Sequence, residues 1–166
     1  MSNFIFLLVF SLLFFTVQVQ TKENIIQYIK NNSYLSDIEV NKIYNSVYKW
    51  SKITGIDPLL IFSIITHESS FNPGAVGRDG EKGLMQIMPI ALEQTVKTYS
   101  IKNDPTLLFD IDYNIMIGTH YLKYCYSRAK SWNLALAYYN DGFRIRQKGL
   151  TYMDRVLSIY KDLKRM

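Results

Sequence analysis

The stretch that decides the reading is Pro58-Leu59-Leu60-Ile61-Phe62-Ser63-Ile64-Ile65-Thr66-His67-Glu68-Ser69-Ser70-Phe71-Asn72-Pro73, an apolar run that ends in a carboxylate and then in residues that cannot stay helical. Asp57 and Pro58 are a good N-cap and first-turn pair, so a helix is expected to begin there, and Asn72-Pro73-Gly74 must stop it. Counting back four and seven residues from Glu68 reaches Ile64 and Ile61, which puts the carboxylate on an isoleucine face. A carboxyl held among apolar neighbours near the negative end of a helix dipole keeps its proton to higher pH than a free glutamate, the condition a general acid needs near neutrality. The competing reading is a glutamate that closes a helix with its carboxylate in water.

A glycine-rich stretch follows, from Asn72 to Lys82, and leads into Gly83-Leu84-Met85-Gln86-Ile87-Met88-Pro89. Its glycines, proline and charges are loop chemistry. Around this centre, residues 23–31 and 36–52 carry apolar residues at helical spacing, the second through Ile38, Ile43, Val47 and Trp50, with Ser36 and Glu39 spaced as a capping box. Beyond it, Pro89 opens a helix to about Tyr99, and Asp104-Pro105 starts a short turn into Leu107-Leu108-Phe109. Further helices are expected over about Asp112 to Ala129, Ser131 to Tyr139 and Tyr152 to Lys164. No run reads as a sheet strand, so the fold class is all-α.

The 166 residues suffice for one domain and are too few for two. Residues 4–17 form an apolar run, short for a membrane span and suited to the hydrophobic centre of a signal peptide, so residues 1–21 are read as a leader or short N-terminal anchor and 22–166 as the domain. No Lys or Arg precedes Lys22 and no Ala-x-Ala-like site follows the run, which leaves both readings of the leader open. The net charge of +5 therefore belongs entirely to the segment after it. A basic exported protein is drawn weakly to anionic wall polymers and to lipid headgroups; Lys and Arg are scattered and form no nucleic-acid motif, so the nucleic-acid reading is set aside. Cys125 is the single cysteine, so no internal disulfide exists, and His67 and His120 lack metal-ligand spacing, so no metal or cofactor is expected. His67 is read as a neighbour of Glu68 that either tunes its charge or is structural. The 13 tyrosines and 9 phenylalanines are read chiefly as packing, with a few placed to present an aromatic face to a ligand.

Taken together, Glu68-Ser69 with Phe71-Asn72-Pro73, the Gly83 to Pro89 block, Asn114-Ile115 with Gly118 and Tyr121-Leu122, and Ala137 with Tyr139-Asn140 and Gly142 resemble the soluble lytic transglycosylase family, the goose-lysozyme-like enzymes that cleave peptidoglycan glycan strands. The resemblance implies a single lysozyme-like helical domain, exported to the periplasm or cell envelope and monomeric. It implies cleavage of the β-1,4 bond between N-acetylmuramic acid and N-acetylglucosamine, with the muramyl C6 hydroxyl closing on C1 to give a 1,6-anhydro ring. Glu68 would be the single acid and base. Gln86 would reach the sugar N-acetyl groups, Met88 would form groove wall, and Tyr139 and Asn140 would stand beside the acid. Tyr152 would close the site as a second tyrosine.

Two departures stand out. Gly77 occupies a position where the family often has serine, so a hydroxyl contact is missing, and Gly142 leads into Phe143-Arg144-Ile145-Arg146-Gln147-Lys148 instead of a Pro-Gly-like turn. The three cations there are expected on one side of an extended stretch at the groove rim, either solvated or contacting peptide-stem or muramyl carboxylates. Asp79 and Glu81 are read as solvated loop charges; if one of them positioned water, the chain would be a hydrolytic goose-type muramidase. A third reading is a wall-binding assembly protein with little turnover, serving a secretion or pilus machine.

Overall fold

The computed structural model describes residues 21–166, and the leader expected over 1–21 lies almost wholly outside them. Among the described residues the chain is helical, without a β-strand; isolated bridges Val76–Lys82 and Lys82–Ile87 pin the glycine-rich loop into a minimal hairpin. Helix α1 covers residues 21–31. It is followed by α2 (Asp37–Thr54), α3 (Pro58–Ser69) and α4 (Pro89–Tyr99). A 3-10 turn (Pro105–Phe109) precedes α5 (Ile111–Ala129), α6 (Trp132–Asp141) and α7 (Gln147–Leu163). No helix among the described residues is long and apolar enough to cross a membrane.

Local chemistry sets the helix ends. Ser36 and Glu39 form the expected reciprocal capping box at α2, and Gly55 closes it in the left-handed region at φ 73°. Asp57 accepts from the Leu59 amide to start α3, and Ser70, at φ 49°, ends it. Leu60 through Ile65 are all buried, so α3 is the central helix, apolar all round. Helix α5 packs on α2, α4 and α6, while α7 packs on α3 and α6.

Two expectations are corrected. Ile38 is 81% exposed, and the buried stripe of α2 runs through Val40, Ile43 and Val47. At 3.6 residues per turn, Ile38 and Val40 point roughly 200° apart, so only one can face the core. Helix α7 begins at Gln147, five residues before the expected start, and carries buried Gly149 in its first turn. A Cβ there would stand 2.9 Å from the Ala137 carbonyl, so glycine lets α7 cross α6 closely.

Candidate active site

Glu68 sits partly buried on the last turn of α3, with Ile64 and Ile61 one and two turns back and fully buried. Burial pushes its carboxyl up to about 7 from 4.5; the Tyr152 phenol pulls it down, the Glu81 carboxylate pushes it further up, and the Lys148 ammonium pulls it down. A substantial fraction of the residue is therefore protonated at neutral pH, as the sequence spacing implies.

The loop facing Glu68 is held by residues from three of the four sequence blocks, and they converge on Met85. Asn114 on α5 donates to the carbonyls of Lys82 (2.9 Å) and Leu108 (2.7 Å) and accepts from the Met85 amide (2.8 Å). The Tyr139 hydroxyl donates to the Met85 carbonyl at 2.8 Å. Gly118 leaves room for the Met85 side chain, whose sulfur would lie 2.4 Å from an added Cβ. Ser69 Oγ donates to the Leu84 carbonyl at 2.8 Å and so ties the end of α3 to the same turn. Gly83 makes the turn possible: its φ is +74°, and a Cβ would lie 2.3 Å from both the Asn114 amide nitrogen and the Leu108 carbonyl.

The candidate residues are distributed around this frame. Met88, with Gln86, Tyr121, Tyr139, Asn140 and Gly142, lines a cavity of about 260 Å³. Tyr152 packs against the Tyr139 ring (centroids 6.3 Å, interplanar angle 16°), and the His67 ring meets Tyr152 edge-on at 5.1 Å. Both tyrosine hydroxyls are buried and are held far from ionisation by burial first and then by the neighbouring Glu68 carboxylate. The Tyr152 hydroxyl touches the Glu68 carboxyl without reaching the geometry of a full hydrogen bond. His67 stays below its ordinary pKa through burial and the nearby Arg155 guanidinium, so it is neutral at pH 7. A larger cavity, about 730 Å³ between α2 and α5, includes none of these residues.

Three side chains behave differently from expectation. The Gln86 amide nitrogen is spent on the carbonyls of Gly83 (2.9 Å) and Ala75 (3.3 Å), so only its oxygen remains for a ligand. Arg146 is no free cation: it forks onto buried Asp141, with Nε at 2.9 Å, and stands as the residue before α7, which separates it from Lys148 on the first helical turn. Glu81 is not a freely solvated loop charge. It is partly buried, its carboxylate accepts from the Asp79 amide at 2.9 Å, and it fills the space over Gly77, where a Cβ would come within 2.2 Å of its oxygen. Asp79 is exposed, as expected. Glu81 is the acidic neighbour that sequence reasoning underrated; the available signal was a glycine four residues before a glutamate in the loop opposite the acid. No cluster of His, Cys, Asp and Glu able to hold a metal occurs among the described residues.

Comparison with known proteins matches residues 45–157 to the transglycosylase SLT domain family. The soluble lytic murein transglycosylase of Escherichia coli K12 is 39% identical over 88 residues, which are 51% of this chain and 14% of that protein. The membrane-bound lytic murein transglycosylase E of Buchnera aphidicola is 35% identical over 126 residues, 72% of this chain and 58% of that protein. The crystal structure of the 70 kDa soluble lytic transglycosylase of Escherichia coli superposes with a TM-score of 0.69 at 27% identity, covering 74% of this chain and 24% of the other. The chain thus spans a small part of the long soluble enzymes and rather more than half of the shorter membrane-bound one.

Proposed function

The chain belongs to the transglycosylase SLT domain family, and from that premise we propose that it is a peptidoglycan lytic transglycosylase with Glu68 as its single general acid and base. The observation that carries this reading is the Glu68 carboxyl itself, raised to about 7 by burial and near enough to Glu81 to interact with the glycine-rich loop, whose Met85 turn is locked by Asn114, Ser69 and Tyr139. In the first step Glu68 gives its proton to the glycosidic oxygen, the C1–O bond of the muramyl residue breaks, and positive charge develops at C1. In the second, the Glu68 carboxylate takes the proton of the muramyl C6 hydroxyl as that oxygen bonds to C1. The acid is regenerated, and no water is consumed.

Met88, Tyr139 and Asn140 shape the glycan cleft, Gln86 offers its side-chain oxygen to an N-acetyl N–H, and Tyr152 steadies the carboxylate form of Glu68 between the two steps. The substrate places the protein in the cell envelope, reached by export. Replacing Glu68 with Gln keeps the shape of the side chain and removes its acidity; turnover of glycan strands should fall at least ~10²-fold in a protein that still folds.

Glu81 supports a second reading, hydrolysis. It is the carboxylate that acts on Glu68, and a water held between the two would give reducing ends in place of anhydro ends. Glu81→Gln separates the two: it abolishes product if Glu81 activates water and leaves anhydro products if the C6 hydroxyl is the nucleophile.

A further inference from the structure

The turn that ends α3 is strained. Ser70 and Phe71 both stand in the left-handed region, at φ 49° and 63°, a conformation uncommon for residues other than glycine and an outlier for a bulky one. Such a turn persists only where its surroundings hold it. Part of the hold is local: the Ser70 amide donates to the Thr66 carbonyl and the Asn72 amide to the Ser69 carbonyl, both at 3.1 Å. On one side, however, residues 69–72 face residues 32–35 across a cavity of about 440 Å³, which leaves the backbone room to unwind.

Helix α1 supplies a second hold. Ile25 and Ile29 are buried in the core and fix the helix, and Tyr28 beside them reaches the end of α3 twice. Its ring meets the Phe71 ring edge-on (centroids 6.0 Å, interplanar angle 81°). Its hydroxyl donates to Thr66 Oγ1 at 3.3 Å, and that hydroxyl donates in turn to the Phe62 carbonyl at 2.8 Å. Thr66 and Phe71 bracket Glu68 in the sequence, so one side chain braces both ends of the segment that carries the acid. Helix α1 lies outside residues 45–157, the stretch matched to the family.

We propose that Tyr28 is a positioning residue for the reaction: by clamping Phe71 and Thr66 it keeps the Ser70–Phe71 turn wound and so holds the Glu68 carboxyl inside the protein. The role rests on the reading of Glu68 as the acid and makes that acid depend on α1. Burial is the first cause that raises the carboxyl to about 7, so a loosened turn that admits water lets the proton leave at lower pH. Glu81 from the loop, Tyr139 from α6, and Lys148 and Tyr152 from α7 also act on the carboxyl or feel it. A change at Tyr28 leaves all four in place.

The test is a carboxyl-carbon NMR titration of the full chain with labelled glutamate, the Glu68 resonance being the one lost in Glu68→Gln. Tyr28→Leu keeps apolar bulk and loses both contacts. In it the Glu68 midpoint should fall by about one pH unit, which leaves about a tenth of the chains protonated at pH 7 in place of about half. Turnover of peptidoglycan at pH 7 should drop about fivefold, and the alkaline limb of the pH–rate profile should move down with the midpoint. Tyr28→Phe keeps the ring contact and should show a smaller fall in the same direction; it takes over as the test if the Leu variant does not fold. Val47→Ala, a truncation in the buried face of α2, should lower the melting temperature and leave the Glu68 midpoint in place. An unchanged midpoint in the folded Tyr28 variants, or an equal fall in Val47→Ala, overturns the positioning role. Failure of the wild-type protein to release fragments from peptidoglycan overturns the glycan reading instead, and the titration, which needs no substrate, tells the two failures apart.

Discussion

Glu68→Gln should make the protein more stable, and more so as the pH rises. The carboxyl is held at about 7 in the folded chain against 4.5 as its ordinary value. Between those values the unfolded chain has released its proton and the folded chain has kept it, so the unfolded state binds fewer protons and stability falls as the pH climbs. Below the lower value both states are protonated and the acid is without effect. Integrating over the shift, wild type should lose about 2.5 kcal/mol relative to the Gln variant between about pH 5 and about pH 8. Other titrating groups are common to both proteins and cancel in the difference. Urea unfolding at the two pH values reads it directly as a change in the midpoint gap. If the gap is the same at both, Glu68 titrates like a solvated glutamate, and the case for a protonated acid at neutral pH fails.

Other consequences follow from the same contacts. Gly83→Ala should cost at least ~3 kcal/mol, because the residue needs φ +74° and its Cβ would collide with the Asn114 amide and the Leu108 carbonyl; a thermal melt within two degrees of wild type would refute the close approach. Asn114→Ala removes three hydrogen bonds that fix the Met85 turn and should cost about 2–4 kcal/mol, read as a shift in denaturant midpoint. Because the Glu81 carboxylate pushes the Glu68 carboxyl up and Lys148 pulls it down, Glu81→Gln should move the alkaline limb of the pH–rate profile to lower pH and Lys148→Met to higher pH. Opposite or absent shifts in purified, folded variants would remove both residues from the surroundings of the acid.

The central helix and its carboxylate were legible in the sequence because both ends of α3 are written in local chemistry: Asp57-Pro58 starts it, and Asn72-Pro73-Gly74 cannot extend it. The roles of the other blocks were not. Asn114 and Gly118 on α5, Tyr139 on α6 and Ser69 on α3 meet only at the Met85 turn, a convergence that spacing along the chain does not encode. The early start of α7 includes Gly149, a poor helix former by propensity that acts as a crossing point in the fold. Arg146 looked like a free cation until Asp141, five residues before it, folded back onto it across the loop after Gly142. Glu81 took its place from a missing side chain, since a glycine at position 77 records only the space and not what fills it.

The chemistry of bond cleavage is tested most directly by mass spectrometry of the fragments that the wild-type protein releases from purified peptidoglycan. If Glu68 alone carries both proton transfers and the muramyl C6 hydroxyl is the nucleophile, the new ends are 1,6-anhydromuramyl, lighter by one water than reducing ends, in wild type and in Glu81→Gln alike. New reducing ends, lost when Glu81 is replaced, would contradict the account and assign the second role to Glu81.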